Sequence, residues 1–179
     1  MIGLLIREKT ISSEYIYKGK ILNLRRDLVR INDGKTSYRE VIEHNGAVGI
    51  LCVDECGEVT MVKQYRKAVE DAVLEIPAGK IDGREQPYAC AVREMEEETG
   101  LIPKELIFLG EFYLAAGYSG EKMYLYLCKN FTRGLQKLDE GENLEVLKFK
   151  YEKLVSMVEN EEITDAKTAL AILLAKKYI

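Results

Sequence analysis

The chain has a single histidine, His44, and four cysteines, Cys52, Cys56, Cys90 and Cys128, with no CxxC pair among them. A zinc site of Cys and His ligands therefore has little to be built from. Three of the cysteines lie in apolar stretches, the pattern of buried free thiols in a reducing cytosol. No apolar run approaches the ~18 residues that a bilayer-spanning helix needs. The longest, residues 169–175, is followed by Lys176 and Lys177. The opening MIGLLIREKT is hydrophobic only briefly and then charged. It has neither a basic leading region nor a cleavage pattern, so no signal peptide is expected and the cytoplasm is the expected location. Basic charge is not in excess either. A net charge of -4 gives no electrostatic reason to expect nucleic acid as a ligand. Internal repeats and low-complexity linkers are missing.

What is present is a 179-residue chain, 47% apolar and 31% charged, which is enough for one substantial core. Residues 12–17 and 20–31 read as strands joined at Lys18-Gly19. Asn32-Asp33-Gly34 is a turn signal, and residues 37–44 resume an extended pattern. The first 45 residues thus form a small antiparallel meander. The run AVGILCV from Ala47 is nearly all apolar, as in a strand covered on both faces. Residues 54–58, with Gly57, turn it into a hairpin with residues 59–65. A short strand at residues 74–79 is stopped by Pro77 and Gly79. Pro87 opens a helix that runs to about Thr99, where Gly100 ends it. Ala91, Met95 and Tyr88 form its inward face, and its glutamates point elsewhere. Residues 106–113 and 122–129 are strands around the loop LAAGYSGE, and residues 144–151 are another. Helices at residues 152–159 and 165–178 close the chain, the second capped by Thr164 or Asp165. A mixed sheet with few helices makes the class α+β, with an α/β/α layering.

The chemistry concentrates in residues 79–101, GKIDGREQPYACAVREMEEETGL. On a helix, Glu94, Glu97 and Glu98 fall within an arc of roughly 100°. Like charges so placed repel by a few tenths (~0.3) of a kcal/mol per pair, with Arg93 beside them as the one offsetting cation. A bound divalent ion reverses that repulsion, and carboxylate oxygens suit hard cations such as Mg²⁺.

Gly79, Glu85, Arg93-Glu94, Met95, Glu97-Glu98, Gly100 and Leu101 together resemble the Nudix box, GX5EX7REUXEEXGU, with every defined position matched. The resemblance implies a Nudix fold over residues 46–179 and hydrolysis of a nucleoside diphosphate linked to another group. It also implies Glu94 and Glu98 as metal ligands, Glu97 as a further ligand or water-holder, and Glu85 as an outer support of the metal. Arg93 would orient a glutamate through a charge-assisted pair. The implied cofactor is Mg²⁺, with Mn²⁺ as an option.

Outside the box, Gln64-Tyr65-Arg66 followed by Leu74-Glu75-Ile76-Pro77-Ala78-Gly79 is similar to a pair of motifs in the ADP-ribose pyrophosphatase subgroup. That likeness implies Arg66 and Glu75 at the substrate and the Ala78 carbonyl on a metal. Arg39 is a second candidate for phosphate or ribose contact. Gly117-Tyr118-Ser119-Gly120-Glu121 resembles the loop that brings a glutamate over the metals, which makes Glu121 a candidate general base. Ala116 stands where the subgroup usually has proline, so other ADP- or NDP-sugars stay open. In the subgroup the N-terminal meander, residues 1–45 here, mediates a homodimer. Tyr17 or Tyr15 is a candidate for stacking on adenine. The expected ligand is thus a small nucleoside diphosphate-linked molecule, with no role for nucleic acid or membrane. The alternatives are another NDP-linked substrate, such as a dinucleotide, or a sensor that binds a nucleotide without cleaving it.

Overall fold

The computed structural model describes residues 7–31 and 34–179. The first six residues of the opening segment, and Asn32-Asp33 of the expected turn, lie outside the described residues. The chain divides into two compact units, one of residues up to Asn45 with Tyr113–Lys122, the other of Gly46–Phe112 with Met123–Ile179.

In the first unit β1 (Lys9–Lys18), β2 (Asn23–Arg30) and β3 (Thr36–Glu43) form an antiparallel sheet in that order. The second strand starts later than the sequence pattern implied. The Gly19 amide bonds the Leu22 carbonyl at 3.0 Å, so residues 19–22 form the turn. Every residue of β1 is exposed, including Ile11, Tyr15, Ile16 and Tyr17. The loop before Glu121 is tied to β3. The Ile42 amide donates to the Tyr118 carbonyl at 2.7 Å, and the Gly120 amide to the Ile42 carbonyl at 3.1 Å.

The second unit is built on β4 (Ala47–Val53), β5 (Glu58–Arg66), β6 (Asp71–Glu75), β7 (Ala78–Lys80), β9 (Ile107–Tyr113), β10 (Lys122–Cys128) and β12 (Leu144–Lys150). Their order is β12-β5-β4-β10-β9, with β6 on β5 and β7 on β4. The sheet is mixed: β4 pairs with β10 in parallel and with β5 antiparallel. Two short strands not foreseen in the sequence, β8 (Leu101–Pro103) and β11 (Phe131–Arg133), pair with each other.

Alternation along β4 explains the layers. Leu51 and Val53 pack on one face with the buried side chains of α2 (Tyr151–Glu159) and α3 (Ala166–Ala175), among them Leu154 and Ile172. Val48, Ile50 and Cys52 pack on the other with Cys90, Ala91 and Met95 of α1 (Pro87–Thr99). This is the expected α/β/α arrangement. The free thiols follow the expected pattern too: Cys52, Cys90 and Cys128 are buried, and Cys56 is exposed.

Residues 74–79 are not one strand. Pro77 has no N–H to donate, so the ladder on β5 ends at Glu75 and the chain resumes as β7 on β4. The last helix ends at Ala175, short of Tyr178, and it is Asp165 that caps it, its carboxylate accepting the Thr168 amide at 3.0 Å. Among the described residues no helix is long and apolar enough to cross a membrane.

Candidate active site

Helix α1 carries the acidic cluster. Pro87 occupies its first turn, and Gly100 ends it in the left-handed region at φ 69° with its amide on the Glu96 carbonyl. Cys90, Ala91 and Met95 seat the helix on the sheet, and Glu98 is buried with them at 2% exposure. The expectation that all the glutamates point away from the core is thus wrong for Glu98. Its carboxylate accepts the Ala78 amide at 2.9 Å, a protein partner in place of water. Tyr88, expected inward, is exposed, its ring edge meeting Tyr126 at 6.2 Å between centroids. Cys90 takes the inward place.

Arg93 binds three carboxylates at once. Its Nε and Nη2 donate to Glu85 at 3.1 and 2.9 Å, and its Nη1 donates to Glu94 at 2.6 Å and to Glu97 at 2.8 Å. Only the planar guanidinium fork has donors enough for this. The three acids hold its pKa far above the ordinary arginine value, Glu85 foremost. Glu94 reaches back across the turn before the helix. A Cβ added to Gly79 would sit 1.8 Å from its carboxylate carbon, so glycine there is what gives Glu94 its place.

Burial pushes Glu94 up to about 7 in spite of Arg93, with Glu97 and Glu142 adding to the effect. Burial likewise pushes Glu98 up to about 8 against the Ala78 amide, with Glu142 and Glu94 adding. Two buried carboxyls in one another's field resist ionisation, and an added cation removes that resistance.

The other expected residues fall into separate groups. Arg66 grips Glu75 with two bonds, Nε at 2.7 Å and Nη2 at 2.9 Å. Glu75 is 2% exposed and also receives Lys167. In the first unit Arg39 pairs with Glu8, its Nε at 2.9 Å, and borders a hollow of about 450 Å³ with Tyr113 and residues 116–120. Glu121 lies 3.6 Å from His44 Nδ1. Tyr17 is exposed, and Tyr15 lies under the Lys18 ammonium at 4.2 Å.

Several residues here carry no signal in the sequence. Glu142, in the loop before β12, sits close enough for its charge to oppose ionisation of both Glu94 and Glu98. Gln64 Nε2 donates to it at 3.4 Å. That loop is tied to the end of α1 by the Gln136 side chain on the Glu98 carbonyl at 2.7 Å and the Lys137 amide on the Glu97 carbonyl at 2.9 Å. No local spacing marks Glu142, because a loop brings it there. Lys167, Asp165 and Thr168 read only as the start of a helix.

Among the described residues no three His, Cys, Asp or Glu side chains converge as a ready-made metal set. The donors nevertheless fit a hard divalent ion. Glu98 is buried and Glu94 partly so, their carboxylates one helical turn apart, with Glu97, Glu85 and the Ala78 backbone beside them, an oxygen donor set of the kind such ions take. The fit is strengthened by Gln64 Oε1, which is buried with no hydrogen-bond partner among the described residues. A buried acceptor left over on the side chain that reaches Glu142 meets its need in a cation or in water held there.

Comparison with known proteins agrees with this arrangement. The NUDIX domain family matches residues 43–171. The chain belongs to the Nudix family. The family described as nucleoside diphosphate sugar hydrolase N-terminal domain matches residues 8–42 ahead of it. The ADP-ribose pyrophosphatase of Bacillus subtilis (strain 168) is 41% identical over 169 residues, 93% of this chain and 91% of that one. The methanol dehydrogenase activator of Bacillus methanolicus is 35% identical over 172 residues, 95% and 93% of the two chains. A crystal structure described as an ADP compounds hydrolase superposes with a TM-score of 0.85 at 20% identity, covering 96% of this chain and 94% of its own, which shows the shared fold. Nudix hydrolases depend on divalent metals, so the box glutamates and the Nudix assignment point to the same chemistry.

Proposed function

We propose that this Nudix protein hydrolyses the diphosphate of ADP-ribose, or of a close ADP-sugar, to AMP and a sugar phosphate, with Mg²⁺ as the metal and Mn²⁺ as a substitute. The observation that carries this is the Glu94–Glu98 pair on one helix, Glu94 packed against Gly79 and Glu98 buried on the Ala78 amide. The 41% identical pyrophosphatase and the nucleoside diphosphate sugar hydrolase match over residues 8–42 support the substrate class.

Glu94, Glu98 and the Ala78 carbonyl would hold the metal, with Glu97 and Glu85 as supporting carboxylates. Bound there, a divalent ion neutralises the diphosphate and lowers the pKa of a water. Arg93 fixes the rotamers of Glu85, Glu94 and Glu97, so the ligand oxygens are in place beforehand. Arg66 offers its guanidinium to the diphosphate while Glu75 holds it. Arg39 serves the ribose or phosphate, and Tyr17 the adenine ring. Proton removal from the attacking water falls to a loop carboxylate. Glu121 is one, with His44 beside it. Glu142 is the other, and its proximity to Glu94 and Glu98 favours it. Comparing Glu121→Gln with Glu142→Gln separates them: the base variant loses kcat by about 10²–10⁴.

The exposed β1, with Ile11, Tyr15, Ile16 and Tyr17, supports a homodimer through residues 1–45, and the free thiols support a cytoplasmic location. The test of function is chromatography of the products from a panel of NDP-sugars, with and without Mg²⁺. AMP and ribose 5-phosphate appearing from ADP-ribose only with metal is the expected result. Binding of ADP-ribose with no cleavage of any panel member would make the protein a sensor.

A further inference from the structure

Where the chain steps from the ladder of β5 to that of β4, at Ile76-Pro77, α3 takes over the Ile76 amide. Thr168 Oγ1 accepts it at 2.9 Å, with Ile76 and Thr168 both fully buried. The Thr168 hydroxyl proton must go to Asp165, because an ionised carboxylate only accepts, and that contact is 2.6 Å. The same Asp165 oxygen takes the Lys167 ammonium at 2.9 Å, and Lys167 also donates to Glu75. The Lys167 side chain is 11% exposed. In the next two residues, the Pro77 carbonyl accepts the Ile50 amide at 2.9 Å and the Ala78 amide reaches Glu98. Three consecutive residues of the chain entering the Nudix box are thereby held from outside, the first by the start of α3, the second by β4 and the third by α1.

We propose that Lys167 is a positioning residue of the active site, acting through Glu75 on Arg66 and through the 75–78 segment on Ala78. The proposal rests on the reading of a diphosphate substrate. Arg66, Lys167, Glu75 and Asp165 together are formally neutral. Without Lys167 the group carries one net negative charge, and Glu75 is left to Arg66 alone. That net negative charge opposes an anionic ligand at Arg66. It acts on bound substrate and on the transition state alike, so the change is read in KM rather than in kcat.

The experiment compares the full-length wild type with Lys167→Met and Lys167→Arg. With ADP-ribose and saturating Mg²⁺, Lys167→Met raises KM about tenfold with kcat within about threefold, and Lys167→Arg restores KM to within about threefold. Urea unfolding of Lys167→Met, Glu75→Gln and the double variant gives a reading independent of turnover: the two changes are non-additive, with a coupling of about tenfold in the folding constant. Equal KM in all three proteins overturns the proposal. So does an Arg variant as impaired as the Met variant, a fall in kcat with KM unchanged, or additive unfolding effects. If the wild type cleaves no NDP-sugar, the functional reading fails by itself, and the urea coupling still decides whether Lys167 and Glu75 act as one unit.

Discussion

Two ionic clusters meet the segment of residues 75–79 from opposite ends of its sequence, and they are balanced differently. At the Nudix box, Glu85, Glu94 and Glu97 share the single guanidinium of Arg93 and Glu98 has the Ala78 amide, leaving three formal negative charges in excess. At the start of α3, Arg66 and Lys167 face Glu75 and Asp165 with no excess at all. The imbalance costs stability in an apo protein, since buried like charges oppose one another. A folded chain that keeps one such cluster and neutralises its neighbour marks the unbalanced one as the place where cations belong. The balanced one holds Arg66 in place.

The comparison can be broken in order of expected effect. Glu98→Gln removes a buried carboxylate that the fold does not need as an anion. It should lower kcat by about 10²–10³, roughly 3–4 kcal/mol of transition-state stabilisation, with the melting temperature unchanged or raised. Steady-state kinetics beside calorimetry would show this, and a large loss of stability would mean that Glu98 is scaffold.

Glu75→Gln is the converse. It breaks a buried ionic group and should cost about 3 kcal/mol of stability in urea unfolding. Its pH dependence has a definite sign. Burial pushes the Glu75 carboxyl up, but Arg66 and Lys167 outweigh this and hold it below the usual carboxylate range. A depressed folded-state pKa contributes stability that is present above the unfolded value, near 4.5, and lost as pH falls through the folded one. Wild-type stability should therefore fall more steeply than that of Glu75→Gln as pH drops below about 5. Parallel curves from pH 7 to pH 3 would remove Glu75 from the account.

Arg93→Lys keeps the charge but loses the fork, so the rotamers of Glu85, Glu94 and Glu97 are no longer set together. A fall in kcat of about tenfold, some 1.4 kcal/mol, is expected, with a weaker dependence of rate on which divalent ion is supplied. Gly79→Ala should have the smallest effect. Its Cβ displaces the end of a flexible glutamate, so stability hardly moves, and activity falls by up to about tenfold through the shifted Glu94.

Much of this was legible in the sequence for a physical reason. The box is local: helix period, Pro87 at the start, Gly100 at the end and carboxylates three and four apart specify one helix and one acidic edge. The hydrophobic run from Ala47 similarly announced a strand covered on both sides. What could not be read was whatever depends on partners far along the chain. Glu98 is buried because Ala78 offers it an amide, and helical periodicity alone places it on an outer edge. Thr168 lies 92 residues from the Ile76 amide it satisfies. Glu142 stands in a loop with no pattern, and only the packing of that loop against the end of α1 brings its charge to Glu94 and Glu98. The short strands β8 and β11 were missed because three residues carry no periodicity.

The most direct test of the account is calorimetric titration of the full-length protein with Mn²⁺ in the presence of AMP, for the wild type and for Glu94→Gln with Glu98→Gln combined. The account predicts saturable binding to the wild type that vanishes in the double variant while the melting temperature holds or rises. Equal Mn²⁺ binding in both proteins would contradict it.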